Sequence, residues 1–220
     1  MIELALPFTG PWRVENSPAR RVPSHGIDVY GERYAIDFVA VTARHRTAEV
    51  RDWRTVLATE PPDRFVAFGR PVLSPAPGTV VAVHDTEPDH EARRSQLALI
   101  PYALTQASRA RAGWRALAGN HVIIALADAY VAVAHLQTGS ARVTPGQRVS
   151  TGDPLAACGN SGNSTQPHVH VQAMDSPDPS AAQGLPIEFR HFHEWPRGTK
   201  TPLVRERGVP AERAVVAPIA

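Results

Sequence analysis

The chain has 220 residues, 43% of them hydrophobic and 20% charged, with a formal net charge of +2. That length suits one domain or one domain with a large insertion, and the apolar content supports a sizeable core and excludes a disordered chain. The charge is too small to imply a nucleic-acid partner. The single cysteine, Cys158, excludes an intrachain disulfide framework and a cysteine-type zinc site, and its apolar surroundings read as those of a small buried residue. Met1-Ile-Glu-Leu-Ala-Leu-Pro lacks the charged start and apolar stretch of a signal peptide. No apolar run reaches the ~18 residues of a membrane helix. The expectation is a protein without its own export signal, cytoplasmic as it stands, and in the cell envelope or secreted if it is exported by another route or if the sequence is trimmed.

In chain order, residues 1–24 are Pro-rich and are expected to form an irregular N-terminal arm. Ser24–Gly31 is loop-like and carries His25. Tyr34–Val41 reads as a buried strand with Asp37 in its middle, and a buried carboxylate needs a hydrogen-bond partner or a metal. Residues 42–68 are charged and mixed, with a short helix expected over 49–59. From Pro71 the pattern is all-β, beginning with strand, Pro-Gly turn, strand over Pro71–Val83. Residues 85–118 interrupt it as an insertion, and Arg93–Leu117 is predicted to hold one or two helices broken at Pro101 and Gly113. Strands resume over Gly119–Leu126 and Ala129–Leu136, then over 143–149 and 152–158, with a closing strand at Leu185–Phe189. Residues 191–220 are charged and Pro-rich and are expected to be partly ordered at best. The whole predicts a mainly β fold, an antiparallel sheet or barrel-like sandwich with a partly helical insertion.

One stretch concentrates the chemistry. Gly159-Asn-Ser-Gly-Asn-Ser-Thr-Gln-Pro is turn-rich, and His168-Val-His170-Val-Gln172 alternates behind it. A strand has a side-chain period of two, so both histidines share one face. Imidazole is a common metal ligand and titrates near neutrality. Of the ten histidines, His84, His90 and His121 are expected in structural roles and His45 at the surface. His191 and His193 repeat the alternation in a charged tail without a preceding glycine turn. His25, His135, His168 and His170 stand apart. A hydrolytic zinc site needs three protein ligands and an open position, which two histidines and a carboxylate supply. Neighbouring imidazoles can move the proton and stabilise the oxyanion. Neither a Gly-x-Ser-x-Gly elbow nor a His-Glu-x-x-His helix is present.

From about Pro23 to Phe189 the sequence resembles the lysostaphin-type (LytM-like) zinc endopeptidases of bacterial peptidoglycan, with 85–118 as the main departure. The matching blocks are His25 with Tyr34-Ala-Ile-Asp37-Phe38, Pro71-Val-Leu-Ser-Pro-Ala-Pro-Gly78, Gly119-Asn-His-Val-Ile-Ile, Val133-Ala-His135-Leu, Val143–Gly152, and Cys158-Gly-Asn-Ser-Gly-Asn-Ser-Thr-Gln-Pro-His168-Val-His170. The resemblance implies a barrel-sandwich hybrid core with a groove over residues 25–190. It implies Zn²⁺ held by His25, Asp37 and His170. Of His168 and His135, one would take the proton of the zinc water and the other would stabilise the oxyanion. Tyr34 or Tyr130 would assist. The 159–166 loop would wall the groove, with Asn160, Asn163 and Tyr34 as groove residues and the insertion as a lid. The implied substrate is a slim peptidoglycan peptide containing Gly or D-Ala. Eleven residues separate His25 from Asp37 where the family has three, so residues 26–36 read as an inserted loop. His25-Gly-Ile-Asp28 mimics the motif with the wrong spacing.

Other functions compete with this one. A catalytically inactive module of the same fold that binds or regulates cell-wall enzymes would have lost ligands. A metallopeptidase with an intracellular substrate would fit the missing leader. A lipoyl-type carrier needs a lysine at a hairpin tip, and the only lysine is Lys200. A phosphocarrier would use two histidines but would not need Asp37.

Overall fold

The computed structural model describes residues 1–95, 97 and 113–219. Among them the strands are β1 (Ile2–Leu4), β2 (Trp12–Glu15), β3 (Ile36–Ala40), β4 (Pro71–Leu73), β5 (Gly78–His84), β6 (Asn120–Ala125), β7 (Tyr130–Leu136), β8 (Arg148–Val149), β9 (Pro154–Ala157), β10 (Val169–Met174), β11 (Gly184–Leu185), β12 (Ile187–Trp195), β13 (Leu203–Gly208) and β14 (Val215–Pro218). Two short α-helices, α1 (Trp53–Leu57) and α2 (Trp114–Ala118), and two 3₁₀ turns, Glu32–Tyr34 and Pro62–Arg64, accompany them. The fold is mainly β, as expected.

One large sheet runs in the order β1-β12-β14-β2-β3-β10-β7-β6-β5-β8, with β11 added to β10 and β13 to β12, and β4 pairs with β9 in a second sheet. The pairings are antiparallel except β1 with β12. Period-two alternation divides the central strands between two faces. Phe38, Val133, Val131, Val169, Val171, Val122 and Ile124 point into the main core with Trp12, Phe189 and Leu155. The other face carries Asp37, His170, Gln172, Ala132, Ala134, Ile123 and Met174, and part of it is covered by Trp114 and Ala118 of α2. In register, Glu15, Asp37, His170, Ala134, His121 and His84 form one row across β2, β3, β10, β7, β6 and β5. The small side chain of Ala134 leaves depth in the middle of that row, where it lines a cavity with Asp37 and His170.

The expected irregular arm and partly ordered tail are both corrected. Residues from 1–24 supply β1 and β2, and residues from 191–220 supply most of β12 and all of β13 and β14. β2 lies between β14 and β3, so both chain ends are built into the sheet that carries Asp37. The physical reason is aromatic: Phe8 stacks on Trp12 at 4.5 Å and meets Phe38 edge-on at 5.0 Å, and Phe38 meets Phe189 at 5.3 Å. Proline content suggested irregular chain, but burying these rings decides the local structure. α1 falls within the helix expected over 49–59, begun by an Asp52 capping box. The helices expected over Arg93–Leu117 lie mostly outside the described residues, apart from α2. Among the described residues, no helix is long and apolar enough to cross a membrane.

Candidate metal centre

Asp37 and His170 face each other directly across the β3–β10 pair. His25 returns to them from the loop before β3. Its Nε2 is 3.0 Å from Asp37 Oδ2, and His170 Nδ1 is 2.9 Å from Asp37 Oδ1. One ligand atom from each of the three residues lies within 4.8 Å of the others. The inserted loop 26–36 therefore does not keep His25 away, because closing a short loop costs little. Asp28, the mimic, is instead paired with Arg33 at the surface.

The ring nitrogens are oriented by their second partners. Gln172 Nε2 donates to Tyr30 O at 2.7 Å, which turns Gln172 Oε1 towards His170 Nε2 at 2.9 Å. His170 Nε2–H donates there, and the Nδ1 lone pair is left facing Asp37. Ser24 Oγ donates to Glu32 O at 3.4 Å and accepts from His25 Nδ1 at 3.0 Å, so His25 Nε2 also presents a lone pair. Asn16 Nδ2 holds Asp37 Oδ2 at 2.8 Å. Two nitrogen lone pairs and two carboxylate oxygens thus converge with only acceptors facing one another. A proton or a metal cation must lie between them, and outer partners that fix ring orientation are typical of metal ligands. The donor set, two imidazole nitrogens and a carboxylate, fits Zn²⁺.

His168 and His135 complete the cluster. His168 Nδ1 donates to Gln166 O at 2.8 Å, with Ser164 Oγ at 3.0 Å, and its Nε2 is 3.7 Å from Asp37 Oδ1. His135 Nδ1 donates to Ser161 O at 3.0 Å, and its ring lies 4.5 Å from that of His168 and 5.8 Å from that of His170. Both rings therefore hold their proton on Nδ1 and leave Nε2 free to accept one. His135 reaches this face through a β-bulge. The β6–β7 register shifts between Asn120 and His121, and His135 has φ 61. In regular alternation the residue after Ala134 would point to the other face, and the left-handed bulge re-aims it.

Electrostatics separate the groups. Burial opposes the charged form of His170, but its hydrogen bond to the Asp37 carboxylate and the charge of that carboxylate outweigh this and raise its pKa to about 9. Burial likewise opposes charge on Asp37, yet His25 and His168, with the hydrogen bonds of His170 and His25, hold it well below the usual carboxylate range. Burial lowers His135 strongly, helped by His168 and His170, and burial lowers His168 against the pull of Asp37. Both are thus neutral bases at neutral pH.

The cluster opens into a cavity of about 470 Å³ lined by Asn16, His25, Ile27, Glu32, Asp37, Trp114, Leu117, Ala118, Ala134, His135, Asn163, Thr165, His168 and His170. Of the expected groove residues, Asn163 lines it. Asn160 does not: it is fully buried, with Nδ2 donating to His90 O at 2.7 Å. Tyr34 does not either: its ring lies beneath the Arg33 guanidinium at 5.7 Å. Tyr130 pairs with Ala125 at the far end of β7, away from the cavity lining. Among the residues expected to be inert, His121 is buried and bonded to Gly119 O at 2.8 Å, burial lowering its pKa to about 4, and His191 pairs with Glu206 at the surface. Cys158 is fully buried, which raises its thiol pKa. Sequence reasoning missed Asn16, Glu32, Trp114 and Gln172. Gln172 carried a signal, since it continues the two-residue alternation of His168 and His170. Glu32, whose pKa is raised by burial against His170 and His25, carried none.

Residues 102–182 match the model of Peptidase family M23. That span holds His135, His168 and His170, and His25 and Asp37 precede it. Among solved structures the chain is similar to the catalytic domain of the prophage-encoded M23 protein EnpA from Enterococcus faecalis, at 19% identity and TM-score 0.39, covering 69% of this chain and 73% of that one. It is similar to the catalytic domain of the antimicrobial peptidase lysostaphin from Staphylococcus simulans, at 16% identity and TM-score 0.40, covering 80% and 88%. It is also similar to a zinc containing peptidase from Vibrio cholerae, at 18% identity and TM-score 0.35, covering 68% of this chain and 48% of that one.

Proposed function

We propose that the chain is a zinc-dependent endopeptidase acting on peptide bonds of peptidoglycan, a reading supported by the match of residues 102–182 to the model of Peptidase family M23. The observation that supports it most is the convergence of His25 Nε2, the Asp37 carboxylate and His170 Nδ1 within 4.8 Å, beside two imidazoles with free Nε2 atoms, in one cavity. His25, Asp37 and His170 would hold Zn²⁺. When bound, the ion supplies Lewis-acid polarisation of the scissile carbonyl and brings the pKa of water towards ~7.

The chain's own residues do the rest. His168 is assigned as proton acceptor because its Nε2 is close to the ligand cluster while its Nδ1–H is committed to Gln166 O. The lowered pKa keeps the His168 imidazole neutral, with its Nε2 available to accept a proton from the attacking water, and makes the protonated ring a stronger acid towards the leaving amine. Until it gains a proton, an Nε2 with its Nδ1–H committed can only accept. His135 therefore orients the attacking water through a lone pair and donates to the oxyanion only when protonated. Burial of the cluster strengthens each of these interactions by excluding solvent.

The test is metal content and turnover together. Purified protein is expected to contain one zinc per chain by mass spectrometry, to cleave peptidoglycan or a short cross-bridge peptide, to lose that activity with a chelator, and to regain it with zinc. Stoichiometric zinc without cleavage of either substrate would refute the endopeptidase reading and support the binding module.

A further inference from the structure

The part of the cavity lined by the histidines and Asp37 is polar, but the part lined by α2 is not. Trp114, Leu117 and Ala118 of α2 line it, joined by Ala134 on the floor and Ile27 on the rim. Trp114 and Leu117 are each only 7% exposed and Ala118 3%, so this wall is set into the molecule. It belongs to the end of the 85–118 insertion, whereas the ligands come from the sheet and the loop before β3.

The wall is also held rigidly. The Trp114 ring meets His121 edge-on at 5.7 Å and Tyr30 at 6.5 Å. Asn163 N donates to Leu117 O at 2.8 Å, tying α2 to the loop that leads to His168. Behind α2, Gly119 (φ +60) approaches that loop so closely that a Cβ would lie 2.5 Å from Ser161 Oγ and 2.6 Å from Gly162 N. A preformed apolar surface beside reactive groups selects substrates by the alkyl groups it covers.

We propose that α2 is a specificity wall, with Trp114 as its specificity-determining residue, that selects a peptide bearing an aliphatic side chain next to the scissile bond over one with glycine there. A glycine at that position would leave the Trp114 and Leu117 faces uncovered, while the methyl of alanine would cover part of them. This inference rests on the endopeptidase reading and narrows its substrate class from Gly- or Ala-containing peptides to the latter.

The test uses the full-length zinc-loaded protein and paired peptides that differ only by alanine or glycine beside the cleaved bond. Wild type is expected to favour the alanine peptide in kcat/KM by roughly tenfold or more. Trp114→Ala is expected to lose most of that preference, with kcat/KM falling several-fold more for the alanine peptide than for the glycine peptide. Trp114→Phe, which keeps an aromatic wall, is expected to retain it, and thermal unfolding of both variants controls for folding. Equal kcat/KM for the two peptides in wild type, or an equal fall for both in Trp114→Ala, would overturn the proposal. If neither peptide is cleaved, the endopeptidase reading fails instead. Calorimetric binding of the intact peptides then decides the wall: tighter binding of the alanine peptide that Trp114→Ala abolishes supports it, and equal binding overturns it.

Discussion

His25 and His170 each commit one ring nitrogen to a neutral partner and turn the other on Asp37, at 3.0 and 2.9 Å. In metal-free protein a proton must bridge these acceptors, which is why the pKa of His170 is raised to about 9. A folded-state pKa above the unfolded value of 6.5 means that the stabilisation is fully present below 6.5 and lost as pH rises through about 9. Asp37 has the opposite sign: its stabilisation is present above its ordinary 3.8 and lost as pH falls. The metal-free protein is therefore expected to show its highest melting temperature between these limits, and a maximum above about pH 9 would contradict the pairing. Metal must displace the His170 proton, so zinc affinity measured by chelator competition is expected to rise with pH up to about 9. Individual substitutions separate the roles. His170→Ala is expected to lose bound zinc and activity together. His168→Ala and His135→Asn are expected to keep zinc and lose ~10²–10⁴-fold in kcat. Gln172→Ala, which frees the His170 ring, is expected to weaken zinc binding by ~10–100-fold, read by the same competition.

Two elements carry the geometry that no single residue explains. The bulge in β7 gives His135 a φ of 61 and brings it to the same face as His170. A left-handed conformation at a non-glycine residue costs roughly 1–3 kcal/mol, and such strain concentrates at functional sites. Asparagine tolerates that conformation better than most residues, so His135→Asn is the substitution that tests function without unfolding the bulge. The junction of α2 and β6 is the second element. Gly119 has φ 60 and ψ −138, a region open essentially to glycine, and its Cβ would strike Ser161 and Gly162. Gly119→Ala is expected to cost at least ~1–3 kcal/mol and to lower the melting temperature by several degrees in thermal unfolding. An unchanged melting temperature would show that α2 is not clamped to the 159–163 loop.

At the scale of the molecule, the two chain ends brace the strand that bears Asp37. β2 joins β14 to β3, and Trp12, Phe8, Phe38 and Phe189 form one aromatic cluster with exposures of 0–1%. Trp12→Ala is expected to cost ~3–5 kcal/mol by chemical denaturation and, because β2 pairs with β3, to weaken zinc binding as well. A variant destabilised to that extent with unchanged zinc affinity would show that the ligand strand holds its place without β2. The proposed ligands come from sequence positions as distant as His25 and His170, so zinc at ~1,000 times its dissociation constant is expected to stabilise the native state by about 4 kcal/mol.

The periodic features were legible in the order of the residues alone. Alternation put Asp37 in the middle of a buried strand and His168 and His170 on one strand face, and turn residues marked the loop before them. These are local facts of a period of two, and with the turn signals they were enough for a mainly β fold; His25 and His135 joined the candidates by their places beside the Asp37 strand and at the end of an apolar strand, and the family resemblance supplied the roles. Features that depend on contacts between distant segments emerged with the packed fold. The loop before β3 brings His25 back over eleven residues, the bulge turns His135, and Gln172, Ser24 and Asn16 set which nitrogens and oxygens converge. Tertiary packing also turned a Pro-rich start and a charged end into sheet strands, because burying aromatic rings outweighs local chain preference. Asn160 and Tyr34 were misplaced for the same reason: polarity and loop context do not say which way a side chain faces once neighbouring segments compete for it. α2 could be predicted as a helix from its composition, but its role as one wall of the cavity follows only from where Gly119 lets it pack.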